Sequence, residues 1–221
     1  MIKGITRKIL RADIDDSLMA NIRILRNFLH PTDLRNRVLY GPDAPRYGDR
    51  ILIDPRLVKG VMMPRRLFLS GKVVESFPPT AEARIIPLRE HPKIGACLEH
   101  WEKGVPWSQT KYLSSIIAAG KGKYGGTPER VDAHWSQYDR MLDVVKREGR
   151  LRRRAQIYRR NFREQRGILV HIDKDGSLYQ GNSGNRRFAI ALVAGLPVIP
   201  AQVGCVHVEA LEKFKALRCT R

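Results

Sequence analysis

Apolar residues recur at intervals of three and four positions in several parts of the chain, and this spacing predicts amphipathic helices. The first such segment is 13–30, and two shorter helices are expected within 91–124. The next helix has clear ends, because Thr127 is a good N-cap and Gly149 is a good C-cap. The N-terminal and middle parts of the chain are therefore expected to be mainly helical.

Residues 31–92 show a different pattern, in which short apolar runs alternate with turn-forming residues. Short strands are expected at 51–53 and 83–88, and 67–74 is expected to form a hairpin that turns at 70–71. The prolines of this region exclude long regular elements.

The end of the chain shows the most regular succession of patterns. Two short strands are expected at 168–172 and 177–180, and the Asp-Gly turn between them predicts a β-hairpin. A glycine-rich loop, an apolar helix that stops at Gly195 and a closing strand at 198–208 follow. This order of elements predicts a mixed α/β module over 167–221.

One stretch of this module, 188–208, has no formally charged residue and is long enough to cross a bilayer. Gly195, Pro197 and Pro200 would interrupt a single helix there. A short buried helix followed by a strand is the better interpretation, so no transmembrane segment is predicted.

These patterns together predict the α+β class, with a mainly helical N-terminal and middle part and a C-terminal mixed α/β module. Residues 1–125 are expected to combine helices, short strands and ordered loops. Residues 126–166 are expected to be a helical basic segment, and 167–221 to be the C-terminal module.

Cysteines and histidines are sparse and scattered. The three cysteines are widely spaced and include no CxxC pair. Three isolated histidines lack the spacing of metal ligands: His134, His171 and His207. Neither a disulfide framework nor a metal site is expected. Because the N-terminus also lacks the pattern of a signal peptide, a cytoplasmic location is predicted.

Charge narrows the choice of partners. The 221 residues include 41 lysines and arginines against 22 acids, which gives a formal net charge of +19. Such an excess favours anionic partners such as nucleic acid, nucleotides or another phosphorylated anion. The simpler alternative is that the charge only keeps the protein in solution.

Arginine is densest in the segment 151–166. If this segment is helical, a narrow apolar stripe lies between its arginines, which fits either a solvated surface helix or an anion-binding face. Arginine binds phosphate oxygens bidentately, which keeps nucleic acid among the candidate partners. The candidate nucleic-acid or anion-binding residues are Arg152, Arg153, Arg154, Arg159, Arg160 and Arg163.

The glycine-rich loop before the apolar helix carries the sharpest functional signal. Arg186 and Arg187 lie in the first helical turn, where the helix behaves like about half a positive charge and each like charge costs about 0.3–1 kcal/mol. An anion in front of the helix would offset this cost, and free backbone N–H groups would bind it. The predicted phosphate-binding residues are Gly181, Asn182, Ser183, Gly184, Asn185, Arg186 and Arg187.

The same stretch resembles the Gly-Glu-Arg-Arg…Ala-Gly-Leu…Ile-Pro box of the ParB/sulfiredoxin-like superfamily. The register holds without gaps from 184–187, through 194–196, to 199–200. The resemblance implies that this loop meets nucleotide phosphates through Gly184, Arg186 and Arg187. It also implies a nucleoside triphosphate, CTP or ATP with Mg²⁺, and an activity such as an NTP-dependent phosphotransferase or NTPase.

Two departures from the family pattern weigh against catalysis. Sulfiredoxins need a reactive cysteine in this loop, where this chain has asparagines and a serine, and the glutamate of the partition box is Asn185 here. The catalytic residues therefore stay unknown, because Asp173 and Asp175, the nearest carboxylates in sequence, are typical turn formers. Two other interpretations stay open: a DNA- or RNA-binding protein that uses 151–166, and a non-catalytic scaffold with a degenerate nucleotide site.

Overall fold

The computed structural model of the protein describes residues 30–65, 67–120, 127–158, 161 and 163–218. The helix predicted over 13–30 lies outside these residues, except for His30 at its end. The described residues belong to the α+β class, as predicted, because they combine helices with a mixed β-sheet.

Both kinds of element occur along the whole described part of the chain. Its α-helices are α1 (Pro31–Tyr40), α2 (Pro92–Lys103), α3 (Lys111–Ala118), α4 (Pro128–Glu148), α5 (Arg154–Ile157), α6 (Asn185–Val193) and α7 (Leu211–Leu217). Its strands are β1 (Arg50–Ile53), β2 (Val58–Met63), β3 (Val73–Val74), β4 (Arg84–Ile86), β5 (Leu169–Ile172), β6 (Leu178–Gln180) and β7 (Ile199–His207).

These strands form one mixed sheet, in the order β1-β7-β5-β6-β2-β4, with β3 paired to the C-terminal end of β7. β5 runs parallel to β7, and β6 returns antiparallel to β5 through the predicted Asp-Gly turn. In that turn the N–H of Gly176 donates to the carbonyl of Asp173 over 2.9 Å. Every residue of β5 and β7 is buried, which is typical of strands covered on both faces.

Three helices pack together and position the candidate site. α6 contacts both α2 and α4. Its buried Phe188 and Ile190 belong to the same hydrophobic cluster as Trp135 of α4 and Val170 of β5. The ends of α2, α4 and α6 are consequently held in fixed positions relative to the sheet.

The helix α4 begins and ends as the sequence predicts. Thr127 accepts a hydrogen bond from the N–H of Arg130, and Pro128 occupies the first helical position. Gly149 ends the helix in the left-handed conformation, with φ of 61°. The apolar face of this helix buries Trp135 and Leu142 against the core.

The helix α1 was not predicted, because residues 31–92 were expected to hold strands and loops only. Its apolar side chains Leu34, Val38 and Leu39 are exposed, so its pattern shows no buried stripe. A polar anchor holds the helix instead: the amide of buried Asn36 donates to the carbonyls of Pro45 and Gly71, each over 2.6 Å.

The prediction of a hairpin over 67–74 is wrong. Leu67–Leu69 is a short 3₁₀ helix, and β3 pairs in parallel with β7 rather than folding back on its own neighbour. Gly71 does turn the chain, with φ of 76°, but its N–H donates to the carbonyl of Gly204 in β7 over 2.8 Å. The long-range pairing with a buried central strand therefore replaces the local pairing.

The interpretation of 151–166 as one helix is also wrong, since the single turn α5 is the only helix among the described residues of this segment. Arg163 and Arg166 have φ values of 53° and 59°, a left-handed conformation that ends a right-handed helix. The chain folds back so that the carboxylate of buried Glu164 accepts the backbone N–H of Arg154 over 3.0 Å.

The first and the last of the predicted regions share one sheet. β1 to β4 come from residues 50–86 and β5 to β7 from 169–207, so the sheet crosses the boundaries expected at 125 and 166. Within 167–218 the predicted succession of strand, turn, strand, loop, helix and strand is confirmed.

The uncharged stretch 188–208 forms most of α6 and the whole of β7, which agrees with its interpretation as a buried helix and a strand. Within the part of the chain that the structure describes, no helix combines the length and the apolar character needed to cross a membrane.

Candidate functional site

The predicted loop opens into a cleft with a volume of about 680 Å³. It lies at the junction of β6 and α6, and the neighbouring helices and loops supply the other walls. Six of the seven predicted phosphate-binding residues line this cleft: Asn182, Ser183, Gly184, Asn185, Arg186 and Arg187. The remaining lining residues are Arg65, Lys93, Tyr138, Met141, Arg154 and Tyr158.

Gly184 sets the direction of α6. Its φ of 72° is a left-handed conformation, and a Cβ added there would lie 2.8 Å from the Cα of Ile168 and 2.9 Å from the carbonyl oxygen of Gly167. Only glycine fits both constraints. No side chain caps the helix that follows, so the N–H groups of its first turn remain available to a ligand.

Gln180, the buried last residue of β6, holds the loop in shape. Its Oε1 accepts the N–H of Asn182 over 2.6 Å. Its Nε2 donates to the carbonyl of Ser183 and to Oδ1 of Asn185, each over 2.7 Å. One side chain therefore ties the loop to the strand on one side and to the helix on the other.

His91 joins this network from the start of α2. Its Nδ1 accepts the N–H of Ile94 over 3.3 Å, so the proton of the neutral ring lies on Nε2. Nε2 then donates to Oδ1 of Asn182 over 2.9 Å, and the same oxygen accepts Nδ2 of Asn185 over 2.8 Å. Burial is the main cause that lowers the pKa of His91 and keeps the ring neutral.

Asn185 therefore has a structural role at the position where the resembled family has glutamate. Its side chain is buried, its Oδ1 accepts Gln180 and its Nδ2 donates to Asn182. Both ends of the amide have partners inside the network, so this residue organises the loop.

Arg186 lies against two aromatic rings of α4. Its guanidinium carbon is 4.6 Å from the ring centroid of Trp135 and 4.6 Å from that of Tyr138. Its Nη1 also donates to the hydroxyl of Tyr138. These contacts fix the guanidinium at the wall of the cleft through the cation–π interaction and one hydrogen bond.

Arg187 points to the other side, toward the folded-back segment. Its Nη2 donates to the carbonyl of Arg152 over 2.6 Å, and its Nη1 is 3.9 Å from Oε1 of Glu164. Burial lowers the pKa of Arg187, although Glu164 opposes this effect, and burial likewise raises the pKa of Glu164. The pair is a structural link that places Arg187 at the cleft.

The cleft is strongly cationic. Five of its lining side chains carry positive charge, from Arg65, Lys93, Arg154, Arg186 and Arg187, and no carboxylate of the described residues lines it. Burial, followed by repulsion from Arg186 and Arg65, lowers the pKa of Lys93. The cations therefore repel one another across a common space.

The protein compensates these charges only in part. Nε of Arg154, Nε of Arg186 and Nη1 of Arg187 are buried and have no hydrogen-bond partner within the described residues. Since buried polar groups normally find partners, this arrangement leaves the guanidinium groups short of acceptors.

Of the other predicted arginines that the structure describes, only Arg154 lines the cleft. Arg152 pairs with Glu148, and Arg153 is exposed. Arg163 donates to Asp33 over 2.8 Å, a contact that ties α1 to the folded-back segment. Arg159 and Arg160 lie outside the described residues. The described arginines of 151–166 do not share one helical face, because the helix α5 spans only Arg154–Ile157.

The groups that could do chemistry lie elsewhere. Asp175 accepts the N–H of Ser177 over 2.9 Å in the hairpin turn, as expected of a turn former. Sγ of Cys205 is 3.2 Å from Nδ1 of His171, but burial raises the pKa of the thiol to about 12 and lowers that of the imidazole to about 3. This pair is therefore neutral and structural. Among the described residues, no group of three or more His, Cys, Asp or Glu side chains could hold a metal ion.

Sequence reasoning missed the residues on the opposite walls of the cleft. Lys93 comes from the start of α2, Tyr138 from α4 and Arg65 from the loop after β2. His91, just before α2, was also missed; it supports the loop without lining the cleft. The one local signal was His91-Pro92, which resembles a helix start. Nothing in the sequence places these residues near the loop, because only the packing of α6 on α2 and α4 brings them together.

Comparisons of this chain with protein-family models, with curated proteins and with solved structures found no match.

Proposed function

We propose that the cleft binds a phosphorylated anion, in the way that the ParB/sulfiredoxin-like resemblance implies for a nucleotide. The observation that carries this proposal is the gathering of five cationic side chains at the uncapped N-terminus of α6, with no carboxylate from the described part of the chain beside them. Backbone N–H groups and guanidinium groups together are the usual ligands of phosphate oxygens.

The size and the walls of the cleft fit a nucleotide. Its volume of about 680 Å³ is within the range of about 300–1,000 Å³ that small-molecule sites occupy. Tyr158 and Met141 are exposed at its wall and offer apolar surface to a base. Stacking of a base on an aromatic ring contributes about 1–3 kcal/mol.

An anion would also relieve the repulsion within the cleft. In the free protein, burial and then repulsion from Arg186 and Arg65 lower the pKa of Lys93. A bound phosphate would raise this pKa, because an opposite charge nearby favours the protonated amine. Binding should therefore take up protons in the pH range where Lys93 titrates.

The proposal assigns binding and leaves turnover open. The described lining of the cleft offers no carboxylate that could act as a general base, and the amide of Asn185 is engaged in the loop network. An NTP-dependent phosphotransferase or NTPase would need a carboxylate from a substrate or a partner. A binding scaffold needs none.

Isothermal titration calorimetry with ATP, CTP, GTP, ADP and AMP tests the proposal. Lys93→Gln and Arg65→Gln each remove one charge from the cleft and should each weaken binding about tenfold, since a charged hydrogen bond contributes about 1.5–3 kcal/mol. Arg140→Gln is the matched control, because Arg140 is exposed on α4 and does not line the cleft. The proposal fails if no nucleotide binds the wild-type protein at millimolar concentration.

A second candidate function is the binding of nucleic acid, which the net charge of +19 favours. Arg152 and Arg153 are exposed beside the cleft, and the ring of Tyr158 is exposed with the guanidinium of Arg154 at 4.3 Å. Fluorescence anisotropy with labelled single-stranded and duplex DNA should show affinity that falls steeply between about 50 and 200 mM salt. Affinity that does not change with salt, or no binding at all, would remove this candidate.

A further inference from the structure

The family resemblance implies a Mg²⁺ ion, and the side chains that line the cleft can be compared with the ligands that this ion needs. Mg²⁺ is held through carboxylates and substrate phosphates in octahedral geometry. Among the residues that the structure describes, every charged side chain lining this cleft is a lysine or an arginine. The residues present therefore do not fit Mg²⁺ as ligands.

The amide oxygens of the loop do not replace a carboxylate. Oδ1 of Asn182 accepts two hydrogen bonds, from His91 and from Asn185. Oδ1 of Asn185 accepts Nε2 of Gln180 over 2.7 Å. A metal ion would have to break this network, which is also what gives the loop its shape.

The acid nearest to the phosphate-binding arginines is engaged as well. Glu164 is almost completely buried, with 1% of its surface exposed. It accepts the backbone N–H of Arg154 through both carboxylate oxygens, over 3.0 and 3.1 Å, and it faces Arg187 from behind the cleft. It holds the wall together and does not line the space that a ligand would fill.

A divalent cation would also meet repulsion from every side. Lys93, Arg65 and Arg186 line the same cleft, and repulsion from the two arginines adds to burial in lowering the pKa of Lys93. In a partly buried site such repulsion is screened much less than at an open surface. A cation next to the bound phosphates would add two positive charges to the five already present.

We infer that the cleft binds an anion with two or more phosphates as the metal-free species, with lysine and arginine supplying the charge compensation that Mg²⁺ supplies in other nucleotide sites. This inference rests on the proposed phosphate-binding function. Its substrate class is a free nucleoside di- or triphosphate, or another polyphosphate anion.

Calorimetry with ATP, ADP and AMP, each in EDTA and in excess Mg²⁺, tests the inference. Ionic strength is matched with NaCl, because screening alone weakens the binding of anions. The affinity in EDTA should rise from AMP to ADP to ATP, and Mg²⁺ should weaken the binding of ATP about tenfold or more. An affinity for ATP that is equal or higher in Mg²⁺ overturns the inference, and so does AMP that binds as tightly as ATP.

A double variant separates this inference from a general effect of Mg²⁺ on the ligand. Lys93→Gln with Arg65→Gln should weaken ATP binding in EDTA. It should also reduce the Mg²⁺ penalty, which is the factor by which Mg²⁺ weakens the binding of ATP. The matched control, Arg140→Gln with Arg147→Gln, removes two exposed charges of α4 outside the cleft lining and should leave both values unchanged. A Mg²⁺ penalty that is unchanged in the Lys93/Arg65 variant contradicts the inference. Absence of binding in both EDTA and Mg²⁺ contradicts the proposed function itself.

Discussion

Gly184 is the residue on which the geometry of the loop depends most directly. Its left-handed φ of 72° excludes most side chains, and the backbone of 167–168 leaves no room for a Cβ. The position therefore requires glycine for two independent reasons. The absence of a side chain also leaves the backbone open where the first turn of α6 begins.

Replacing Gly184 by alanine should destabilise the protein more than the same change at Gly195. Both residues have left-handed φ values, 72° and 65°, but a Cβ at Gly195 would meet nothing within 4 Å. Gly195→Ala should cost only the conformational penalty of about 1–2 kcal/mol, and Gly184→Ala should cost more because it also clashes. Urea unfolding of both variants measures the difference. Equal losses would show that the close approach at Gly184 has no energetic effect.

At the scale of elements, the loop between β6 and α6 gains its shape from one strand residue. Gln180 accepts one hydrogen bond and donates two within the loop. Asn185 and His91 complete the network. The loop is therefore preorganised before a ligand arrives. Preorganisation reduces the entropy that binding must offset.

Gln180→Glu tests this role with little change in size. Glutamate keeps an acceptor for the N–H of Asn182, but it cannot donate to Ser183 and Asn185. It should lower the free energy of unfolding by about 1–3 kcal/mol, because two acceptors lose their donor in a buried site. It should also weaken nucleotide binding, as measured by calorimetry. A variant with wild-type stability and affinity would show that the loop does not depend on this network.

The order of elements in 167–218 could be predicted because each has a local signal. The Asp-Gly turn, the run of apolar residues in β7 and the glycines around α6 each act over a few positions. The helix α1 has no such signal, since buried Asn36 anchors it to carbonyls distant in sequence. The pairing of β3 with β7 also joins residues that are distant in the sequence, so no local pattern could predict it.

At the scale of the whole molecule, the candidate site is a product of tertiary packing. The loop itself was predicted from glycines, arginines and a family resemblance. His91, Lys93 and Tyr138 are between 40 and 100 positions away from the loop in the sequence. Contacts over such separations form only when the chain folds. Sequence could therefore indicate one wall of the cleft and could not indicate the others.

Acid should destabilise the fold. Burial lowers the pKa of His171 to about 3. Below the ordinary pKa of histidine, the unfolded chain therefore binds a proton at this residue and the folded chain does not. The stability from this group is complete above about pH 6.5 and is lost toward pH 3, by up to about 1.4 kcal/mol per pH unit. Burial lowers the pKa of His91 in the same direction. Glu164 acts oppositely, because burial raises its pKa.

Urea unfolding between about pH 7.5 and 4.5 measures this dependence. The midpoint should fall steadily once the pH drops below about 6.5, the ordinary pKa of histidine. A midpoint that stays constant over this range would show that His171 is not buried in its neutral form.

The central claim is that the cleft at 181–187 binds a phosphorylated anion. Its most direct test follows the backbone amide resonances of the ¹⁵N-labelled protein during titration with ATP in EDTA. The largest chemical-shift changes are expected at the N–H groups of Asn185, Arg186 and Arg187, and they should saturate as the site fills. Shifts that are absent, or that occur only at surfaces away from the loop, would contradict it.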